Sequence, residues 1–257
     1  MTIGNYLYLM GSNIASSCTS YRRFALEAGM MFVNNAVFFL IWIFFFRQFG
    51  ELRGYDLPDM VGLFAMTCLS LGFFVLLMDG VQNLSRYIVS GELERFLNTP
   101  CHPIPLIIFS GSRASGLGDI LFGLVVWLGF AQGSWQSIPW VLVIGLLCAT
   151  IIAAAMFCLH CLSFWHRGVH HSTEQVYNSF LIFSSYPTHI YSFFGKILLM
   201  TIFPAGLIAT LPMAILHQHR IWAVIALPLA VLLWVRLASW LFRRGLRRYV
   251  SGNEIFA

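Results

Sequence analysis

DMVGLFAMTCLSLGFFVLLMD, residues 59–79, is a 21-residue stretch that carries a charge only at its two ends. An apolar run of roughly 20 residues is long enough, as a helix, to cross a hydrocarbon core of about 30 Å. Inside the membrane every backbone polar group needs an internal partner, which favours helix over irregular chain. This stretch therefore predicts a transmembrane helix, and the rest of the chain extends the pattern.

The composition of the whole chain is that of a membrane protein. Of its 257 residues, 59% are hydrophobic and only 10% are charged, whereas a soluble domain carries about 25% charged residues. We predict an all-α, polytopic membrane protein that forms a single transmembrane domain over residues 1–257. Residues 1–23 are expected to form an amphipathic N-terminal helix in the membrane interface, with a disordered tail as the alternative. Six membrane segments are predicted at 24–46, 59–79, 114–130, 138–165, 176–216 and 221–241.

The distribution of arginine predicts the orientation. Ten arginines lie on one side of the predicted segments: Arg22, Arg23, Arg86, Arg95, Arg113, Arg167, Arg243, Arg244, Arg247 and Arg248. The other side holds three: Arg47, Arg53 and Arg220. Because positively charged loops stay in the cytoplasm, both termini and the loop of residues 86–105 are predicted to be cytoplasmic.

The fifth segment, 176–216, cannot be a simple crossing. A single helix of that length would be about 61 Å long at 1.5 Å per residue, and Pro187, Pro204 and Pro212 interrupt it. Two complete crossings would place the C-terminal arginines on the wrong side. We therefore expect one crossing, followed by a pair of short re-entrant helices at the outer face, before the last span.

Several kinds of chemistry are absent from the sequence. The chain has a single lysine, Lys196, which follows glycine in GKI, so the phosphate-binding loop G-x-x-x-x-G-K-[ST] is missing. The pattern CLHC places Cys158, His160 and Cys161 close together, as in some zinc sites. It lies on an apolar helix, however, whereas structural zinc ligands usually lie on turns, and we predict no metal site. Because the phosphate-binding loop is missing, any ATP hydrolysis would occur on another subunit.

Five ionisable residues lie in or beside the apolar segments: Glu27, Asp79, Asp119, Lys196 and Arg236. Buried charge is costly in a membrane and often marks a functional site. Most of these residues lie near predicted helix ends, where their side chains can reach the interface. We expect Asp119 to pair with Arg113, and Lys196 is left without a role.

A short charged stretch, GELERFLNTP (91–100), follows the second membrane segment. From Arg86 to Leu97 its pattern predicts an amphipathic helix, with Leu93, Phe96 and Leu97 on one face and a Glu92–Arg95 pair on the other. Anionic lipid repels carboxylates, so a protein groove is a better partner for this helix than the membrane surface.

This stretch resembles the membrane subunits of type-2 ATP-binding-cassette transporters, in particular the bacterial branch with six spans. Gly91, Glu92, Leu93, Leu97 and Pro100 match a Gly-Glu-Leu-Asp-x-x-Leu-Leu-x-Pro-like motif of that family, with Glu94 in place of Asp and Asn98 in place of the second Leu. The ending Gly245–Asn253 is similar to the family's C-terminal Gly-Leu-Arg-x-Tyr-x-Ser-x-Asn pattern. The pair Tyr186–Pro187 and the stretch Pro204–Pro212 resemble its outer region.

The resemblance implies a permease subunit, without catalytic residues, in the plasma (inner) membrane of a bacterium. Its coupling helix would contact a dimeric ATPase subunit that uses ATP and Mg²⁺, and a second permease of the same or a related kind would complete the path, usually for export. This chain would bind no cofactor, metal or nucleic acid. The coupling residues would be Gly91, Glu92, Leu93, Glu94, Arg95, Phe96 and Leu97. The outer gate would include Tyr186, Pro187, Lys196, Pro204 and Pro212.

Two other functions stay open at the level of sequence. A membrane-embedded lipid-modifying enzyme would need polar residues that converge on one membrane face, and His166, His170, His171 and Glu174 are the candidates. An ATP-independent transporter or channel would be favoured by broken helices in both halves of the chain, but breaks are predicted only in the second half.

Overall fold

The protein is described by a computed structural model that covers residues 8, 11–15, 20–51, 56–131, 134–166, 169–184, 186, 191–201, 204–216 and 220–249. Over these residues the chain is helical, with short turns and no strand, which confirms the predicted all-α class. The helices are α1 (Tyr21–Phe49), α2 (Leu57–Leu77), α3 (Leu84–Ser90), α4 (Glu94–Leu97), α5 (Pro103–Ile108), α6 (Ser115–Gly129), α7 (Ile138–Cys161), α8 (Val169–Ser184), α9 (Phe193–Thr201), α10 (Ala205–Leu216) and α11 (Ile221–Leu246).

Four helical segments of the described chain are long and apolar enough to cross a membrane. These are α1, α2, the stretch Trp135–Phe164 that contains α7, and α11. A fifth is formed if α9 and α10, which are bent by 89° at a short break, count as one span. The predicted total of six is not confirmed, because α6 and α8 have only 15 and 16 residues and a full crossing needs about 20.

The first residues of the chain are only partly described. Residues 11–15 are helical, and the side chain of Asn13 donates a hydrogen bond of 2.6 Å to the carbonyl of Phe109, just after α5. The predicted N-terminal segment thus contacts the connection between α2 and α6. Apart from Tyr8, the remainder of residues 1–19 lies outside the described residues.

The core is centred on α2 and α7. Both helices are mostly buried within the chain, whereas α1 and α11 are mostly exposed. Many exposed positions of α1 and α11 are nevertheless apolar, as at Val33, Phe44 and Leu233. Since α2 and α7 are covered within the chain, they form its interior, whereas α1 and α11 expose apolar surface of the kind that faces lipid or another membrane helix.

Glycines allow α2 and α6 to approach closely. A Cβ atom added to Gly116 of α6 would lie 2.6 Å from the carbonyl oxygen of Gly72 in α2, and one added to Gly123 would lie 2.8 Å from that of Ala65. Gly118, on another face of α6, packs against the carbonyl of Ala28 in α1. Small residues permit such backbone contact in membrane bundles, and here they fix α6 between α1 and α2.

Candidate functional site

The stretch expected to form one helix from Arg86 to Leu97 is broken at Gly91. Helix α3 ends at Ser90, and Gly91 has φ = 81°, a left-handed conformation. Glycine lacks a Cβ and is the usual residue where a helix ends in this way. The chain then turns and forms the single turn α4. The predicted continuous helix is therefore wrong, because the left-handed glycine ends the first helix in the middle of this stretch.

The apolar residues after this break face the interior of the chain. Leu93 is fully buried and Phe96 is nearly so, and the Leu93 amide donates a hydrogen bond of 3.0 Å to the Tyr87 carbonyl. The rings of Tyr87 and Phe96 lie 5.1 Å apart. The apolar face predicted to meet a partner is thus covered by the chain's own residues, since Tyr87 and its neighbours provide a closer apolar surface.

Glu92 and Arg95 remain exposed at this turn. The guanidinium of Arg95 lies 4.6 Å from the ring centroids of both Tyr87 and Phe96. We expected Arg95 to pair with Glu92, and the structure instead places it over two aromatic rings, where a cation is attracted by the π electrons. The turn thus presents charged groups on an apolar base.

The C-terminal end of α11 supports the same turn. The hydroxyl of Tyr249 donates a hydrogen bond of 3.1 Å to the carbonyl of Gly91, and its ring lies 6.1 Å from that of Phe164. Partial burial, together with the nearby Glu94 carboxylate, raises the pKa of Tyr249. Tyr249 belongs to the C-terminal motif Gly245–Asn253, but its hydrogen bond to Gly91 is not predicted by the sequence.

Tyr249→Phe removes this hydrogen bond while it keeps the ring. We expect a local loss of about 1 kcal/mol, visible as roughly fivefold faster amide exchange in residues 84–97 by hydrogen–deuterium exchange mass spectrometry. Tyr21→Phe, at an exposed tyrosine on α1, is the control and should leave that exchange unchanged. Equal exchange in all three proteins would show that the bond does not hold the turn.

A buried polar cluster links α3 to the end of α7. The Oγ of Ser85 lies 2.7 Å from Nδ1 of His160, and the hydroxyl of Ser163 donates to Ser85 Oγ at 3.0 Å. His160, the histidine of CLHC, is therefore hydrogen-bonded to Ser85, which Ser163 in turn contacts. In the described part of the chain no group of three His, Cys, Asp or Glu side chains is arranged to hold a metal.

An ion pair joins the two ends of the chain segment that connects α2 to α6. Arg113 donates from Nε to Oδ1 of Asp79 at 2.9 Å and from Nη2 at 2.5 Å. The side chain of Asp79 is 10% exposed and that of Arg113 is 51% exposed. The expected pairing of Arg113 with Asp119 is wrong, because the guanidinium is bonded to Asp79 and the Asp119 carboxylate accepts a hydrogen bond from Asn35.

The carboxylate of Asp119 is instead hydrogen-bonded to a side-chain amide of α1. The Nδ2 of Asn35 donates a hydrogen bond of 2.6 Å to Oδ1 of Asp119, and both residues are buried. Asp119 is the fifth residue of α6, about 6 Å from the start of that helix at 1.5 Å per residue. Asn35 is not among the candidate residues predicted from the sequence, although Asn34 and Asn35 are adjacent amides within an apolar segment and a polar residue inside a membrane segment often marks a functional site.

These residues line a cavity of about 670 Å³ between α1, α2, α6 and α8. Its size falls in the range of small-molecule sites. A hydrogen bond of 3.1 Å from the Thr67 hydroxyl to the Ser184 carbonyl joins α2 to α8 beside it. The lining residues are Met31, Asn34, Asn35, Phe38, Phe64, Thr67, Cys68, Leu71, Val75, Arg113, Ser115, Asp119, Tyr177, Asn178, Ile182 and Tyr186. The arrangement can bind a molecule that has both apolar and polar parts.

The candidate outer-gate residues are spread along the second half of the chain. Tyr186 lines the cavity and contacts Trp42, with ring centroids 5.3 Å apart, while Lys196 lies partly buried on α9. Pro204 precedes α10 and Pro212 lies inside it. Pro187 lies outside the described residues. Of the candidate lipid-modifying cluster, His166 is exposed, and the side chains of His170, His171 and Glu174 are not described.

Comparison with known proteins gives one family. The sequence model of the family described as ABC-2 family transporter protein matches residues 32–252, a range that includes the turn at Gly91, its contact with Tyr249 and all the cavity-lining residues except Met31. The comparisons with curated proteins and with solved structures found no match. The family is a membrane component of transporters rather than an enzyme. Since the match covers most of the chain, this protein belongs to the ABC-2 family and is a multi-pass permease subunit of an ATP-binding-cassette transporter.

Proposed function

We propose that this chain couples ATP hydrolysis on a separate dimeric ATPase to the export of a substrate through the bacterial plasma membrane. A second permease, of the same or a related kind, completes the path. The observation that carries this proposal is the turn at Gly91, which presents exposed Glu92 and Arg95 on a firmly held base. The turn and the termini lie in the cytoplasm in this proposal, as the ten arginines predict.

The base of the turn suits the transmission of force. Leu93 is fully buried, Gly91 is bonded to Tyr249 after α11, and Ser85 is bonded to His160 of α7. A push on the turn therefore acts on α3, α7 and α11 together, because packed helices move as rigid elements more readily than they deform. The exposed charged residues Glu92 and Arg95 contact the ATPase, and Mg²⁺-ATP is bound by that partner.

The outer part of the path is assigned to the bent pair α9–α10. In this proposal the shorter helices α6 and α8 complete six crossings, and α9–α10 form the re-entrant outer gate with Tyr186, Pro187, Lys196, Pro204 and Pro212. The 89° bend between α9 and α10 supports this assignment, since irregular backbone at membrane depth is tolerated where protein or water shields it.

Substitution of the exposed charged residues at the turn tests the proposed contact with the ATPase. Leu93 and Phe96 are buried, so polar replacements there would disturb folding; Glu92→Lys and Arg95→Glu change only exposed groups. Each is expected to reduce co-purification with the ATPase subunit and ATP hydrolysis by the complex about threefold, because like charges then face each other across the contact. Glu51→Lys is the matched control, because it reverses the charge of another exposed residue, just after the C-terminal end of α1.

Unchanged ATPase binding and hydrolysis in both variants would contradict the proposed contact. Failure of the wild-type chain to co-purify with any ATPase subunit would contradict the proposed function and favour an ATP-independent transporter or a lipid-modifying enzyme. The Glu51→Lys chain should retain full binding and hydrolysis.

A further inference from the structure

We propose that the cavity between α1, α2, α6 and α8 binds an amphiphilic monocation, with Asp119 as its counter-charge. This inference rests on the proposed transport function, because the cavity would hold the substrate before it is moved. The cavity has a volume of about 670 Å³, enough for a drug-sized molecule. Its charge, lining and polar partners determine which class of molecule fits.

The charge balance favours a cation. The charged residues that line the cavity are Arg113 and Asp119, and the guanidinium of Arg113 is already bonded to Asp79. Two carboxylates thus meet one guanidinium, so the ionised form of Asp119 has no bonded cation among the residues that line the cavity. Glu27, the next carboxylate along α1, is bonded to Arg23 on the exposed surface. A monocation would neutralise the site, whereas an anion would face Asp119 while the arginine is occupied.

The carboxylate is held in place by another helix. Asn35 of α1 donates its hydrogen bond of 2.6 Å to Oδ1 of Asp119 on α6, which leaves Oδ2 for a further partner. An ionisable group inside a membrane bundle is costly, and it usually faces a pathway or a counter-ion. Since Arg113 is paired with Asp79, the incoming molecule is the natural counter-ion.

The lining also suits a cation with apolar substituents. Phe38, Phe64, Tyr177 and Tyr186 line the cavity together with aliphatic side chains such as Ile182. Aromatic faces attract cations, and they bind quaternary ammonium groups in particular. Asn34 and Asn178 add polar contacts. A small inorganic cation would leave most of this apolar surface unused, so the ligand class is an amphiphilic monocation.

A pair of probes that differ in charge but share a shape tests this proposal. The full chain is placed in nanodiscs of neutral phosphatidylcholine, and binding of tetraphenylphosphonium and of tetraphenylborate is measured after subtraction of protein-free nanodiscs. We expect the cation to bind about tenfold more tightly than the anion. Equal affinity, or preference for the anion, in the wild-type chain overturns the proposal whatever the variants do.

Variants of Asp119 locate the charge. Asp119→Asn is expected to reduce tetraphenylphosphonium affinity about tenfold, and Asp119→Glu, which keeps the charge, should retain the preference for the cation. Glu27→Gln removes a carboxylate outside the cavity and should bind like wild type. Cation binding by a folded Asp119→Asn protein, at wild-type affinity, would overturn the assignment. Because no ATPase is present, these results are independent of co-purification, so failure of the cation site and failure of the transport function can be told apart.

Discussion

Gly116→Val is expected to lower the free energy of unfolding by about 3 kcal/mol. The added Cβ alone would lie 2.6 Å from the carbonyl of Gly72 and 2.7 Å from the amide nitrogen of Leu76. Both are backbone atoms of α2, which cannot turn away as a flexible side chain can. The helices would have to separate, and the apolar contacts between them would be lost along their length.

Gly129→Val is the matched control on the same helix. It is the last residue of α6, and nothing lies within 4 Å of a Cβ added there. Thermal unfolding in a mild detergent should show a large decrease in the midpoint for Gly116→Val and almost none for Gly129→Val. Similar midpoints for the two variants would show that close contact between α2 and α6 is not needed for stability.

Arg113→Met is expected to lower the free energy of unfolding by about 2 kcal/mol. The loss of one partner of a buried ion pair costs about 3–5 kcal/mol, and the half-exposed side chain of Arg113 reduces this value. The variant leaves the carboxylate of Asp79 buried without its cation. In Asp79→Asn the remaining arginine can still reach water, so we expect a smaller loss.

A double-mutant cycle separates the pair from its surroundings. The variant with both Asp79→Asn and Arg113→Met should be more stable than Arg113→Met alone, because the unpaired carboxylate is then absent. Arg23→Met, which breaks the exposed pair with Glu27, is the control and should cost less than about 1 kcal/mol. Strictly additive losses at Asp79 and Arg113 would contradict a direct interaction.

Long apolar runs that stand alone in the sequence coincide with long helices in the structure. Residues 59–79 were predicted, and α2 spans Leu57–Leu77; residues 221–241 were predicted, and the helix observed there is α11. Hydrophobic length is a local property, so it can be found without knowledge of the fold. The segment 114–130 corresponds to the short helix α6, and the proline-interrupted stretch 176–216 is divided among α8, α9 and α10.

The candidate sites were only partly predictable. The charged stretch 91–100 is visible in the sequence, but the burial of Leu93 and Phe96 depends on Tyr87 and on other elements that cover them. Helical periodicity shows which residues share a face, but it does not show what that face contacts. The same limit applies to Asp119, whose partner Asn35 lies 84 residues away in the chain.

By itself, the sequence determined that this protein is a helical membrane protein, that it lacks a phosphate-binding loop, and that a short charged stretch follows its second apolar segment. Composition and the length of apolar runs are enough for these conclusions, because the membrane acts on each segment separately. The tertiary structure decided that Asp79 pairs with Arg113, that Asn35 holds Asp119, and that a cavity forms around them. Those contacts join residues that are 34 and 84 positions apart in the chain, and the close packing of α6 against α1 and α2, which small residues permit, brings them within hydrogen-bond distance.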